Sequence, residues 1–200
     1  MIWNNVLIKN NKMLFGILLA FCCCISHAEE CQYWDDLDEI SKSEIINSVD
    51  VDKNIMKLYL HEIKLSDNDM SATIMDTLCS STDGNKRKLH FYVLNENVNM
   101  ADGVVAEMLG GYCVKYVNEN TDYALEYFSK HQDVSNNYMD MIASELYLSD
   151  TNFIQYEQLL FHSAKSKCAK EYLPVFLKGI ERILAKLDKE HPTTDDTLNQ

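Results

Sequence analysis

The chain has 200 residues, 46% of them hydrophobic, with 31 acidic against 18 basic side chains and a formal net charge of −13. That is enough apolar material for one domain burying roughly 70% of its unfolded-chain surface. It is too negative to favour a phosphate backbone, which sets nucleic-acid binding aside; solubility, or steering toward a basic protein or peptide, is what such a charge favours.

The first 28 residues read as an export signal. Lys9 and Lys12 precede an apolar run over residues 13–25, and Ser26-His27-Ala28 supplies a small-x-small cleavage site. The run falls short of the roughly 20 residues that a membrane span requires. The expectation is therefore a cleaved leader over 1–28, a single helical domain over 29–192 and a flexible tail over 193–200, with no membrane span in the mature chain. Cleavage removes two lysines and no acid, leaving 16 basic and 31 acidic residues, a net −15. The product is then periplasmic or secreted. Lipid anchoring through Cys22 is the minor alternative, and it is disfavoured by Phe21, which stands where a small residue is customary.

Four cysteines remain after the leader: Cys31, Cys79, Cys113 and Cys168. An even number in an oxidising compartment suggests two bridges in one of three pairings. Cys31–Cys79 with Cys113–Cys168 is preferred, each stabilising by about 4 kcal/mol on the chain-entropy account; Cys79–Cys113 competes. A zinc site would need a close CxxC pair, which is absent.

The domain reads as all-α. Past the leader only five glycines and two prolines interrupt it, and apolar residues recur at intervals of three and four. Ile55, Met56, Tyr59, Leu60 and Ile63 form one face. Ser66 with Asp69 resembles a capping box opening a helix through Met70, Ile74, Met75 and Leu78. Asp83-Gly84-Asn85 marks a turn. The only strand candidate, residues 89–94, has flanks that continue more naturally as helix. From Asp102, Val104, Val105, Met108, Leu109, Tyr112, Cys113, Tyr116 and Val117 recur as pairs every four residues, a broad stripe that needs more than one neighbour. Gly110 and Gly111 within it cost about 1 kcal/mol each relative to alanine, and close helix approach is the expected compensation.

Thr121, Ser135 and Asp150 or Thr151 are candidate caps for the helices that follow. These carry Leu125 and Phe128, then Tyr138, Met141, Ile142 and Leu146, then Phe153, Ile154, Leu159, Leu160 and Ala164. A break over 167–172 precedes a last helix with Pro174 in its first turn and a stripe from Phe176 to Leu187; His191-Pro192 ends it. Seven to nine short antiparallel helices follow, either a compact bundle or a HEAT-like array of helical hairpins, disulfide-stapled.

Catalytic patterns are tested and set aside. His61-Glu62-Ile63-Lys64-Leu65 begins like a zinc-protease helix but has Leu where the second imidazole belongs. Residues 50–61 lack the glycine and glutamate of a calcium loop; their acids suit a helix N-terminus instead. No phosphate-cradling glycine loop or nucleophile elbow occurs, and no cofactor or metal is expected. All eleven tyrosines follow the leader, a residue that suits apolar surfaces with a wet edge. Tyr112, Tyr116, Glu119, Asp122, Tyr123, Glu126 and Tyr127 therefore make the candidate interaction face. The leading expectation is a non-enzymatic exported protein that binds another, basic protein, of the general kind of immunity proteins that neutralise toxins. The alternatives are a helical-repeat scaffold in the cell envelope, marked by a groove lined by the Tyr112 to Tyr127 region, and a hydrolase without a motif.

Overall fold

The computed structural model describes residues 31–191, apart from 49, 82, 83 and 150. The expected leader over 1–28, Cys22 within it, and the tail over 193–200 lie outside the described residues. Among the described residues the chain is all-helical, with nine α-helices, one short 3-10 turn and no strand. After the turn at Trp34–Asp36 come α1 (Glu39–Ser48), α2 (Lys53–Tyr59), α3 (Asp69–Cys79), α4 (Gly84–Met100) and α5 (Gly103–Glu119). Then follow α6 (Thr121–Lys130), α7 (Gln132–Leu148), α8 (Phe153–Ser163) and α9 (Lys167–Glu190). The strand candidate 89–94 lies inside α4.

Side-chain caps begin several of these helices, satisfying amides that have no partner within the first turn. Asp52 accepts from the amides of Asn54 and Ile55 at the start of α2, which accounts for the acids near residue 50. Asn68 accepts from Ser71 and starts α3, so the cap is Asn68 rather than Ser66. Asn152 opens α8, and Ser166 opens α9 by accepting from Ala169. The expected break over 167–172 is therefore absent. Pro174 lies well inside α9, where its ring removes one amide from the ladder without ending the helix. Ser135 is no cap either; it is buried within α7, its hydroxyl 2.8 Å from that of Tyr172.

α2 ends in an unusual way. The His61 amide donates to Leu58 and the Glu62 amide to Lys57, at 3.0 and 2.8 Å. This is the paired C-terminal motif in which glycine is customary at the left-handed position. Here His61 takes it, with φ of 57°.

α7 lies at the centre of the packing, against α5 and α9 and, less extensively, α4 and α6; α9 also lies along α6. The close approach of α5 to α7 is made at Gly110. A Cβ there would meet the Met141 carbonyl at 3.1 Å and Cβ of Glu145 at 3.0 Å. The glycine thus has a packing role, which offsets its helix cost.

The core is unusually aromatic. Phe91 stacks on Tyr116 at 4.8 Å, meets Tyr123 and Tyr127 edge-on, and adjoins Phe128, which stacks on Phe176. Tyr33, next to the 3-10 turn, packs on Tyr123 and Tyr127 at 4.8 Å each. Offset and edge contacts of this kind add to plain area burial.

The expected disulfide staple is not formed: no bridge joins Cys31, Cys79, Cys113 or Cys168. The helices that carry the sulfurs direct them to other neighbours. Cys79 Sγ lies 3.7 Å from the Tyr112 carbonyl, and Cys168 Sγ lies 3.4 Å from the Ser129 hydroxyl. Cys79 and Cys113 are buried where α3 meets α5. Burial pushes the Cys79 thiol up to about 12 and raises Cys113 well above its ordinary value, so both are protonated packing groups.

Candidate functional site

The seven residues expected to form an interaction face do not share one exposed surface. Tyr116 is 0% exposed, Tyr123 is buried with the Arg87 guanidinium 4.1 Å above its ring, and Tyr127 is 4% exposed. The Tyr127 hydroxyl donates to Asp35 at 2.7 Å, and burial together with that carboxylate raises its pKa. Tyr112 is half-buried and donates to the Ala72 carbonyl at 3.2 Å. Asp122 accepts from the amides of Lys165 and Ser166, tying α6 to the turn before α9. Glu119 is exposed, and Tyr112, Asp122 and Glu126 face solvent in part. Closeness in sequence grouped the tyrosines, but it could not say that Tyr116, Tyr123 and Tyr127 meet Phe91.

Three of the ten large hydrophobic side chains left exposed among the described residues lie on α8. Of its eleven residues only Tyr156 and Leu160 are buried, while Ile154, Leu159 and Phe161 are 58%, 45% and 54% exposed. Ile154 and Phe161 are seven residues apart and share one flank; Leu159 lies on the other, about 140–160° round the helix. The signal for this was present in the sequence. Apolar residues cover about 220° of the α8 circumference, from Leu159 round to Ile154, more than a surface helix buries with one stripe. The helix carries one acid, Glu157, and no lysine or arginine in a chain that is 24% charged.

Beside the Leu159 flank runs a groove of about 310 Å³, walled by Val114 of α5, Leu146 of α7, and Tyr156 and Leu159 of α8. Glu145, Asn118, Ser149, Thr151 and Gln155 supply its polar groups. Glu145 rests against the glycine pair of α5, with its Oε2 3.3 Å from the place a Cβ would occupy at Gly110. It takes part in no ion pair among the described residues. Asn118 Oδ1 is buried and accepts no hydrogen bond.

His90 is the one fully buried histidine among the described residues. Neither ring nitrogen makes a hydrogen bond of good geometry. Burial first, and Lys86 second, lower its pKa to about 4, with the Thr77 main chain and Asp52 only partly opposing. It is therefore a neutral core residue near pH 7 and does not reach the groove.

No group of three or more histidine, cysteine, aspartate or glutamate side chains is placed to hold a metal among the described residues, and no described helix is long and apolar enough to cross a membrane. Set against known proteins, the chain matches no family model, no curated protein and no solved structure. Its site is therefore read from its own side chains.

Proposed function

We propose that this is an exported, non-catalytic protein that binds another protein, and that the partner closes over α8. One observation carries the reading: Ile154, Leu159 and Phe161 stay at the surface of a helix nearly free of charge. Exposed apolar side chains grouped on one helix can mark an interaction site, and a helix apolar on both flanks suits a partner that embraces it. The excess of 31 acidic over 18 basic residues favours a basic partner, because complementary charge speeds encounter and suppresses wrong pairings. An inhibitor that covers a basic cleft, as immunity proteins do, is the most specific form of this proposal. Hairpins stacked in the HEAT manner would give α8 a rigid frame.

The test is a photo-crosslinking residue placed at position 161, in the full chain with its own leader, in cells that export it. A single adduct with a basic protein is expected there, and none from the exposed loop position 67. No adduct at 161, or equal adducts at both positions, would overturn α8 as the contact. Fractionation of the same cells tests export, and a cytosolic product would remove that part of the proposal.

A further inference from the structure

The groove beside α8 has a chemistry more specific than an apolar patch, and we infer that it receives a lysine or arginine side chain of the partner protein. The inference rests on the reading of α8 as the contact surface and names what the partner must present there.

The argument starts from unmet demand. Glu145 is half-buried, and no lysine, arginine or histidine lines the groove with it. A carboxylate beside apolar walls, with no cation of its own, can pair with one supplied from outside. Asn118 Oδ1 lies in the same groove, buried and unbonded. The hydroxyl of Tyr156, in the groove wall, is also buried without a partner, and all three groups can accept a hydrogen bond. The nearby Ser149 hydroxyl does not meet them, because it donates to the Glu145 main-chain carbonyl at 2.7 Å. What completes the site is therefore a donor, and a positively charged one.

The walls decide the rest of the ligand. Val114, Leu146, Tyr156 and Leu159 offer hydrocarbon, which suits the methylene stem of a lysine or arginine and does nothing for a hydrated metal ion. A single carboxylate is also too few ligands for a divalent cation. The groove is open at the α5 side because Gly111 carries no side chain; a Cβ there would lie 3.9 Å from the Glu145 carboxyl carbon. A side chain entering along Leu159 thus brings its charged end to Glu145 and its stem to the apolar wall. The net −13 of the chain draws such a cation in.

The probes are Nα-acetyl-lysine methylamide and Nα-acetyl-arginine methylamide, with Nα-acetyl-norleucine methylamide as the uncharged control, titrated into the folded protein. Backbone NMR shifts report where each one binds. The expected result is millimolar binding of the two cations, with shifts centred on Gly111, Val114 and Leu159, and none from the control. Glu145→Gln should weaken binding about tenfold or more. Gly111→Ala, which narrows the groove, should weaken it too, while Glu119→Gln should leave it unchanged. Binding that survives Glu145→Gln, shifts centred elsewhere, or no binding would overturn the inference. So would putrescine binding much more tightly than the lysine probe, since the natural ligand would then be a free amine. The two readings fail separately. Loss of cation binding with the position-161 adduct intact removes only the groove assignment, and the reverse removes only α8 as the contact.

Discussion

Helices α6 and α8 are nearly the same length and both rich in apolar residues, yet they have opposite fates. α6 buries Thr121, Tyr123, Ala124, Leu125, Tyr127 and Phe128, six of its ten residues. α8 has Phe153, Ile154, Tyr156, Leu159, Leu160 and Phe161 among its eleven and buries only Tyr156 and Leu160. Hydrophobicity alone therefore does not decide burial in this molecule. α6 lies along the long helix α9 and against α5 and α7, whereas α8 makes smaller contacts with α9, α5 and α6. The apolar flanks that α8 leaves open are what a partner can use.

The comparison can be broken most directly by truncating one ring on each helix. Phe128→Ala should cost about 3–5 kcal/mol, the range for deleting a buried aromatic ring. Phe161→Ala should change stability by no more than about 0.5 kcal/mol, as an exposed position does. Urea denaturation of both variants measures the contrast, and similar losses would mean that α8 is as buried as α6.

The interior side also has a pH signature. The His90 pKa falls from 6.5 to about 4 on folding, so its favourable neutral burial is complete above pH 6.5. That contribution is lost as the pH drops toward 4, because the unfolded state binds the proton first. The loss is on the order of 3 kcal/mol. His90→Leu should flatten the stability curve over that window; an unchanged acid limb would place the titration elsewhere.

A smaller effect sharpens the comparison at the junction between core and groove. Gly110→Ala pushes a methyl against the Met141 carbonyl and should destabilise by about 1–3 kcal/mol. Gly111→Ala meets nothing closer than 3.9 Å and should stabilise by about 0.5–1 kcal/mol through helix propensity. Thermal melts of the pair would show opposite signs. The smallest change concerns backbone alone: His61→Gly relieves the left-handed residue that ends α2 and should add about 0.5–1 kcal/mol.

Much of the local structure was legible beforehand. The three-and-four spacing places helices over residues 55–63, 102–117 and 173–187; the last two segments lie almost entirely in helices, whereas α2 ends at Tyr59 and leaves Leu60 and Ile63 outside it. Asp52 belongs to a helix N-terminus, and Gly110 pays its helix cost back in close packing. Each is a short-range property, carried by residues within a few positions of one another. Pro174 misled because its first-turn preference is strong, yet α9, packed on α6 and α7, runs through it without interruption.

By itself, then, the chain's order of residues determined that it would be helical, acidic and rich in tyrosine, because periodicity and composition need no neighbours to be read. Only the tertiary structure decided that Tyr116, Tyr123 and Tyr127 turn toward Phe91 while Ile154 and Phe161 turn toward solvent. It decided, too, that Glu145 reaches an open groove without a cation beside it. The physical reason is that burial belongs to pairs of faces. A helix determines which side chains share a face, and only the packing of the whole chain supplies the face opposite.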